Sequence, residues 1–268
     1  MSFRRLPTPA SRPRRLLPAA IVVACLLWAS ASAAAEQSPL MLTVGAGVQR
    51  QGTWLGAKGM RTEALPYLDV EWTNHVSLST VDGLQVDFIN GHVLHGGIYG
   101  DYQWGRTREE LGALGGTVTA LPPRFNLGGY LEWQLTSQFD LGTNLSHDIN
   151  GAGAYLSVYA EWDLPSMGVV QHSLQLRWQA LNNAAMNRNF GLNPYQASAL
   201  NTDAWDPGAG SELATLEYDV FVPTSKHTGL ALGLVYGRLL GKAGNSPMVT
   251  RFGSRRQLSE SLAFVYHL

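Results

Sequence analysis

The stretch that decides the fold is the end of the chain, residues 257–268 (QLSESLAFVYHL), where large apolar side chains recur at every second position. One face of this segment carries Leu258, Leu262, Phe264, Tyr266 and Leu268. Glu260 interrupts that face near its start. A period of two predicts a β-strand with one apolar face. A terminal strand with aromatic residues on that face is typical of a barrel that closes its last seam in lipid, where an open sheet edge is costly.

The same alternation is found upstream. Residues 125–136 place Leu127, Leu131 and Trp133 on one face and Tyr130 and Glu132 on the other. Residues 154–164 and 173–180 alternate in the same way. Each segment has about the length that a tilted strand needs to cross the hydrocarbon layer, roughly 9 to 11 residues.

Extending the pattern along the chain predicts about twelve strands, an even number as in bacterial outer-membrane barrels. They are expected at residues 40–50, 62–73, 75–81, 84–91, 93–105, 124–136, 138–147, 153–164, 170–182, 213–222, 228–240 and 257–268. The long connections, 51–61, 106–123, 183–212 and 241–256, all fall on the outer side if the N-terminus is periplasmic. The fold class is therefore predicted as a closed antiparallel transmembrane β-barrel with short periplasmic turns and longer outer loops.

Residues 1–35 predict a cleaved signal peptide, because five arginines precede a short apolar stretch at 16–28 and the small residues 33–35. Residues 36–268 would then form the barrel domain. Two alternatives concern the same segment. Arg14 and Arg15 could serve twin-arginine export, and Cys25 could be the acylated cysteine of a lipoprotein, although the apolar stretch continues past it.

Removal of the five arginines in residues 1–35 leaves 14 Lys+Arg against 20 Asp+Glu and a net charge of −6. This acidic balance argues against nucleic acid as a partner, since phosphate binding needs a basic face. Cys25 is the single cysteine, so cleavage would also remove any disulfide, zinc thiolate or cysteine nucleophile. The membrane barrel is favoured over a secreted soluble sandwich or lipocalin-like barrel, because Trp72, Trp104, Trp133 and Trp162 stand near strand ends as an interfacial girdle requires.

Residues 237–249 (GRLLGKAGNSPMV) followed by residues 253–257 (GSRRQ) resemble the C-terminal signature of the MipA/OmpV family of outer-membrane proteins. Residues 65–72 (LPYLDVEW), and residues 189–192 (NFGL) with Gln196 and Ala197, resemble two further stretches of that family. The most specific part is a signature loop formed by Asn245, Ser246, Pro247, Gly253 and Ser254. Two positions depart from the family pattern: Asn189 replaces an aromatic residue, and Leu268 replaces a terminal Phe.

The resemblance implies a non-enzymatic protein that needs no cofactor. One member of the family is described as an adaptor that joins a murein lytic transglycosylase to a penicillin-binding protein. We therefore expect an envelope scaffold or interaction protein, surrounded by outer-membrane lipid, with periplasmic murein enzymes as its partners.

A channel is the first alternative function. On the predicted register, the inward positions are acidic: Asp101, Glu132, Glu161, Asp163, Glu217 and Asp219. Arg177 is nearly the only basic residue among the inward positions. Carboxylates clustered in a narrow lumen attract cations and repel anions, so the pattern would suit a small cation-preferring channel. Carboxylates that are screened by water or bonded to Tyr and Gln neighbours are the other interpretation of the same residues.

An outer-membrane lipid hydrolase is a less favoured alternative. Seven histidines and many serines are present, but no serine stands in a recognisable nucleophile motif. We also expect no metal site at His92, His95 and Asp101, because residues 92 and 95 point to opposite faces of a strand. The glycines at 112–116 lack the Lys-Ser/Thr of a phosphate loop and are interpreted as a flexible outer connection.

Overall fold

A computed structural model of the chain describes residues 40–72, 75–80 and 83–268. The predicted signal peptide, and with it Cys25, lies outside the described residues. The strands are β1 (Leu40–Gly52), β2 (Met60–Trp72), β3 (Val76–Ser79), β4 (Gly83–Asn90), β5 (Leu94–Gln103), β6 (Arg124–Thr136), β7 (Phe139–Asp148), β8 (Ala154–Met167), β9 (Val170–Leu181), β10 (Gly210–Pro223), β11 (Thr228–Leu239) and β12 (Arg256–His267). They form one closed antiparallel barrel, which confirms the predicted fold class.

The seam joins the first strand to the last. β1 pairs with β12 from Thr43 opposite His267 to Arg50 opposite Glu260. The main-chain N–H of Leu268 donates to Leu42 O at 2.9 Å and extends the seam by one residue. The predicted faces of β12 are confirmed, since Phe264 is 51% exposed toward lipid whereas its neighbour Val265 is 2% exposed.

The inner and outer faces follow from side-chain alternation in every strand. In β6, which has the predicted bounds, Leu127 and Leu131 are exposed while Asn126 and Tyr130 are buried toward the lumen. At the seam, inward glycines Gly45 and Gly47 leave room on the inner wall for neighbouring side chains. Leu65 and Tyr67 of β2 accordingly pack with Ala263 and Val265 of β12.

The third and fourth strands do not reach the height of their neighbours. β3 pairs with β2 only from Asp69 to Trp72, at the periplasmic end of β2. β4 pairs with β5 no higher than Gly100. In the described part of the chain, residues 60–67 of β2 therefore have a strand partner on the β1 side alone. The sequence predicted a longer third strand, at 75–81.

Three of the outer connections, residues 104–123, 182–209 and 240–255, contain short helices. These are a 3₁₀ turn (Gly112–Leu114), α1 (Asn183–Phe190), α2 (Pro194–Ala199), α3 (Gly241–Asn245) and α4 (Pro247–Phe252). None of the helices in residues 40–72, 75–80 and 83–268 is long and apolar enough to span a membrane. The interpretation of residues 112–116 as a flexible connection is not supported, because Leu114 in this turn is 1% exposed.

Candidate functional site

The outer mouth of the barrel is covered by a cap, which we define as residues 53–59, 104–123, 182–209 and 240–255. These four outer connections share an apolar core with the upper ends of the strands. Its buried residues are Trp54, Ala57, Leu111, Leu114, Val118, Leu181, Ala185, Met186, Phe190, Leu192, Leu213, Leu239, Ala243, Met248 and Val249. Burial of this many apolar side chains by loops gives the cap a core of its own, so the outer end of the lumen is closed by packed structure.

Ser246 of the signature loop joins two cap helices. Its hydroxyl is fully buried, donates to Phe190 O at 2.7 Å and accepts from the N–H of Met248 at 3.3 Å. It is the N-cap of α4, and Pro247 follows at the first helical position, where its missing N–H costs nothing. The hydroxyl therefore ties the C-terminal end of α1 to the N-terminal end of α4.

The rest of the signature loop also acts within the cap. Gly253 lies against residues 53–59 so closely that a Cβ atom there would stand 2.0 Å from Gly56 O. The next N–H, that of Ser254, donates to the same oxygen at 2.7 Å. Asn245 accepts from the guanidinium of Arg255, which also donates to Gly244 O at 2.8 Å. Ser246, Gly253 and Ser254 thus join different cap segments, and Asn245 bonds within its own segment. This structural role is one that the resemblance did not specify.

Two arginines hold the middle of the cap. Arg106 donates to Asn189 O at 2.7 Å, and Arg188 donates to Pro122 O at 2.8 Å. Burial, and secondarily the positive charge of Arg188, lower the pKa of Arg106 to about 10. Arg106 remains a cation at neutral pH, so its hydrogen bond to the α1 backbone is charge-assisted.

At mid-height the lumen is filled by inward side chains that are less than a tenth exposed. They include Gln49, Tyr67, Tyr99, Tyr130, Tyr159, Gln175, Arg177, Glu217 and Asp219. Arg177 lies over the ring of Tyr159, with its Cζ 5.2 Å from the ring centroid, and donates to Gln175 Oε1 at 2.6 Å. Gly142 makes room for this ring, because a Cβ there would stand 2.1 Å from Tyr159 Cζ.

The six acidic residues singled out in the sequence lie at different heights of the inner wall. Asp101 lines the space beneath the cap, and Glu217 and Asp219 belong to the buried middle layer. Glu132 accepts from the hydroxyl of Tyr159 at 2.7 Å, and Glu161 accepts from Gln175 Nε2 at 2.9 Å. Asp163 is exposed near the periplasmic end. At least two of the six are thus engaged by Tyr and Gln neighbours.

One inward carboxylate was missed. Asp87 accepts a hydrogen bond from the hydroxyl of Tyr130 across the lumen wall. It precedes a register shift between β4 and β5 at Asp87 and Ile89, which places Phe88 and Ile89 together on the surface. A bulge of this kind breaks the period-two pattern, and nothing in the local sequence marks its position.

Histidines do not combine into a site in the described residues. His92 lies in the turn before β5, and His95 lies on β5 opposite Glu132 of β6. Within residues 40–72, 75–80 and 83–268 no group of three or more His, Cys, Asp or Glu residues is arranged to hold a metal ion. Both ring nitrogens of His172 are engaged, by Pro165 O at 3.0 Å and by Tyr218 Oη at 3.0 Å, and neither contacts a serine.

A cavity of about 310 Å³ occupies the outer half of the lumen, between the cap and the filled middle layer. Its walls combine aromatic rings, such as Trp54 and Tyr99, with amides and hydroxyls, such as Asn144 and Ser157. Phe190 of α1 reaches it from the cap. The arrangement is a polar chamber with aromatic walls, and it lies between the outer surface and the periplasmic end of the barrel.

A sequence profile described as "MltA-interacting protein MipA" matches residues 44–268, which is nearly all of the barrel. The chain belongs to the MipA family. As a barrel of this family it resides in the cell outer membrane. No curated protein matches this MipA-family chain.

Solved structures similar to this MipA-family barrel include outer-membrane porins and channels. The NanC porin superposes with a TM-score of 0.45 at 10% identity, covering 85% of this chain and 100% of the porin. An outer membrane channel from Pseudomonas putida F1 superposes with a TM-score of 0.43 at 9% identity, covering 87% of this chain and 97% of the channel. At such low identity the likeness concerns barrel architecture, and activity is not transferred from it.

Proposed function

We propose that this MipA-family barrel is a non-enzymatic envelope scaffold that holds murein enzymes, a lytic transglycosylase and a penicillin-binding synthase, at its periplasmic rim. The observation that carries the proposal is the cap, which closes the outer mouth with an apolar core. A barrel that is closed on the outside presents its turns and inner wall to the periplasm, where murein is built. The family description, an MltA-interacting protein, agrees with a periplasmic partner.

The β8–β9 hairpin is the proposed contact surface. β8 continues past its last pairing with β7, at Trp162, as far as Met167. At the tip of the hairpin, Met167 and Val169 are 60% and 67% exposed, on either side of Gly168 with its positive φ of 65°. These apolar side chains lie on the periplasmic side of the last pair between β7 and β8. Exposed apolar side chains at such a turn are suited to burial against a protein partner.

The test places a photo-crosslinking amino acid at Met167 in living cells. Adducts isolated by affinity purification should contain a murein lytic transglycosylase or synthase, identified by mass spectrometry. The matched control carries the same amino acid at Tyr195, which is 82% exposed in the outer cap and faces away from the periplasm. A second variant, Met167→Ser with Val169→Ser, should reduce adducts from a crosslinker at His92 by at least fivefold. Murein enzymes absent at Met167, or equally abundant at Tyr195, would contradict the scaffold.

A cation-preferring channel is the second candidate, and the acidic periplasmic half of the lumen favours it. Asp140 lies within electrostatic reach of Glu132, Glu161 and Asp163. An ion current would have to cross the filled middle layer and the cap, so we expect the protein to show no steady conductance in planar bilayers. Steady cation conductance that falls when Glu132→Gln and Glu161→Gln are combined would establish the channel and displace the scaffold as the primary function.

A further inference from the structure

Among residues 40–72, 75–80 and 83–268, the barrel wall contains a window between β2 and β5. β3 and β4 stand between these strands but end far below their outer ends. Neighbouring strands are about 4.8 Å apart, so three spacings, about 14 Å in all, separate β2 from β5 at the level of the β3–β4 hairpin. Residues 60–67 of β2 form one side of the window, and residues 101–103 of β5 form the other.

The window has a built frame. Leu68 N–H donates to Thr80 Oγ1 at 3.1 Å, and Pro66 O accepts from the same hydroxyl at 3.2 Å, so the main-chain groups of both residues point toward the window. Proline at position 66 removes the N–H at that one position of the edge, and edge strands are where proline is tolerated in sheets. At the top, Arg61 pairs with Glu63 at 2.5 Å and with Glu110 of the cap. The opening is thus closed above by an ion network and below by the hairpin.

The cavity adjoins the window along the β5 side and at the outer end of the β2 side. Its lining residues include Arg61 from β2 and Asp101, Tyr102 and Gln103 from β5, the strands that flank the opening. The window lies in the outer half of the barrel, because β3 leaves β2 near the periplasmic end. A molecule in the outer leaflet can therefore reach a polar chamber through the wall without passing the cap.

Two neutral polar side chains in the cavity have unused hydrogen-bonding capacity. Asn144 Oδ1 and Ser157 Oγ are buried and have no hydrogen-bond partner in the part of the chain that the structure describes. The residues are 7% and 6% exposed and stand opposite each other in the β7–β8 pairing. Buried polar atoms of this kind call for a partner that enters the cavity.

The chemistry of that partner follows from the two atoms. An amide oxygen needs a donor, whereas a serine hydroxyl both donates and accepts. Hydroxyl groups of a sugar satisfy both, while an ionised phosphate diester has acceptors alone and cannot serve Asn144 Oδ1. Trp104 lines the same cavity, is partly exposed and offers an apolar face for a sugar ring.

We propose that the window admits an amphiphile from the outer leaflet, with its uncharged, hydroxyl-rich head in the cavity and its alkyl tail left in the window. The tail then covers the open edge of β2 at the depth where water is scarce. The head bridges Asn144 and Ser157 beneath the cap. This site is independent of the murein partners proposed above.

The experiment uses the mature barrel in micelles of lauryldimethylamine oxide. The probe is a dodecyl maltoside that carries a diazirine in its head group. After irradiation, adducts should map to peptides containing Asn144 or Ser157. Ala64→Trp places a bulky ring beside the open edge and should lower cavity labelling at least fivefold. Ala46→Trp, on the same outer face of the neighbouring strand, should leave it within twofold. Asn144→Leu should lower it about fivefold, the loss expected for one net hydrogen bond.

Ser173→Ala, an inward residue outside the cavity, is the matched control for Asn144→Leu, and heat-modifiable gel mobility reports folding of every variant. Unlabelled dodecyl maltoside should compete, while free maltose should be at least tenfold weaker and dodecylphosphocholine should not compete. Adducts confined to lipid-facing residues would overturn the proposal, because the cavity would then hold water alone. Equal competition by free maltose, or equal labelling of Ala64→Trp and Ala46→Trp, would overturn entry through the window.

Discussion

Removal of the Ser246 hydroxyl is expected to loosen the cap without unfolding the barrel. Ser246→Ala leaves Phe190 O buried without its donor and deprives α4 of its N-cap. A buried acceptor left unsatisfied costs about 1–3 kcal/mol, and loss of an N-cap typically costs about 1 kcal/mol. The two effects share one hydroxyl and are not additive, so we expect a loss of about 2 kcal/mol in cap stability.

Hydrogen–deuterium exchange by mass spectrometry measures this loss locally. Because about 1.4 kcal/mol corresponds to a tenfold change in an equilibrium constant, opening of the cap should become roughly 30-fold more frequent. Peptides covering 183–199 and 241–252 should exchange faster by that factor. Strand peptides from β6 and β9 should be unchanged, since local opening does not require the barrel to unfold.

Ser198→Ala is the matched control, because Ser198 is exposed on α2 in the same cap. It should shift exchange by less than twofold. Ser246→Ala would refute the reasoning if cap peptides exchanged as in the wild type, since the hydroxyl would then not hold the two helices. Equal acceleration of cap and strand peptides would refute it too, because the cap would not be a separate unit of stability.

Three further substitutions test the lumen, the cap and the window. Gly142→Ala should push the ring of Tyr159 out of its place and lower the midpoint of heat-induced mobility change by several degrees, read on unboiled gels. Gly253→Ala should force the cap away from Gly56 and increase protease cleavage within 241–255 at least fivefold. Pro66→Val should add an N–H to the open edge and raise the fraction of detergent-resistant dimers, measured by crosslinking in micelles.

Controls for these substitutions come from the same chain. Gly116→Ala places its Cβ in open space and should change neither the thermal midpoint nor protease cleavage. Ala64→Val adds apolar surface on the window side of β2 without adding a main-chain donor, so it should leave the dimer fraction unchanged. A dimer fraction equal in Pro66→Val and Ala64→Val would show that the missing N–H does not protect the edge.

The strands could be predicted because a half-lipid, half-lumen environment imposes a period of two on every strand. β6 has the predicted bounds, 124–136, and both ends of every other strand lie within three residues of the predicted ones. The cap could not be predicted in this way. Its helices are five to eight residues long, too short to show a helical period or to be stable alone, and they form by packing Phe190, Met248 and their neighbours together.

For the acidic residues, too, the sequence predicted which face of the strand they occupy but not which side chains they contact. Alternation indicated that Glu132 and Glu161 lie on inward positions of their strands. It did not indicate that Tyr159 crosses the space left by Gly142 to donate to Glu132, or that Gln175 donates to Glu161. Those contacts depend on register between strands, which the sequence leaves open. The interpretation of the carboxylates as a cation-selective surface therefore depends on pairings visible in three dimensions.

Pro66 lies on the edge of β2 that borders the window. In the sequence it was part of a family stretch with no assigned role, and proline in the middle of a predicted strand argues against full pairing. The structure has it on the side of β2 that loses its neighbour above Leu68, where a missing N–H removes a donor that lipid could not satisfy. The same edge is closed above by the contact of Arg61 with Glu110. A shortened hairpin, a proline at the exposed edge and an ion pair over the gap are mutually consistent, so the opening is better understood as a built feature than as a defect of closure.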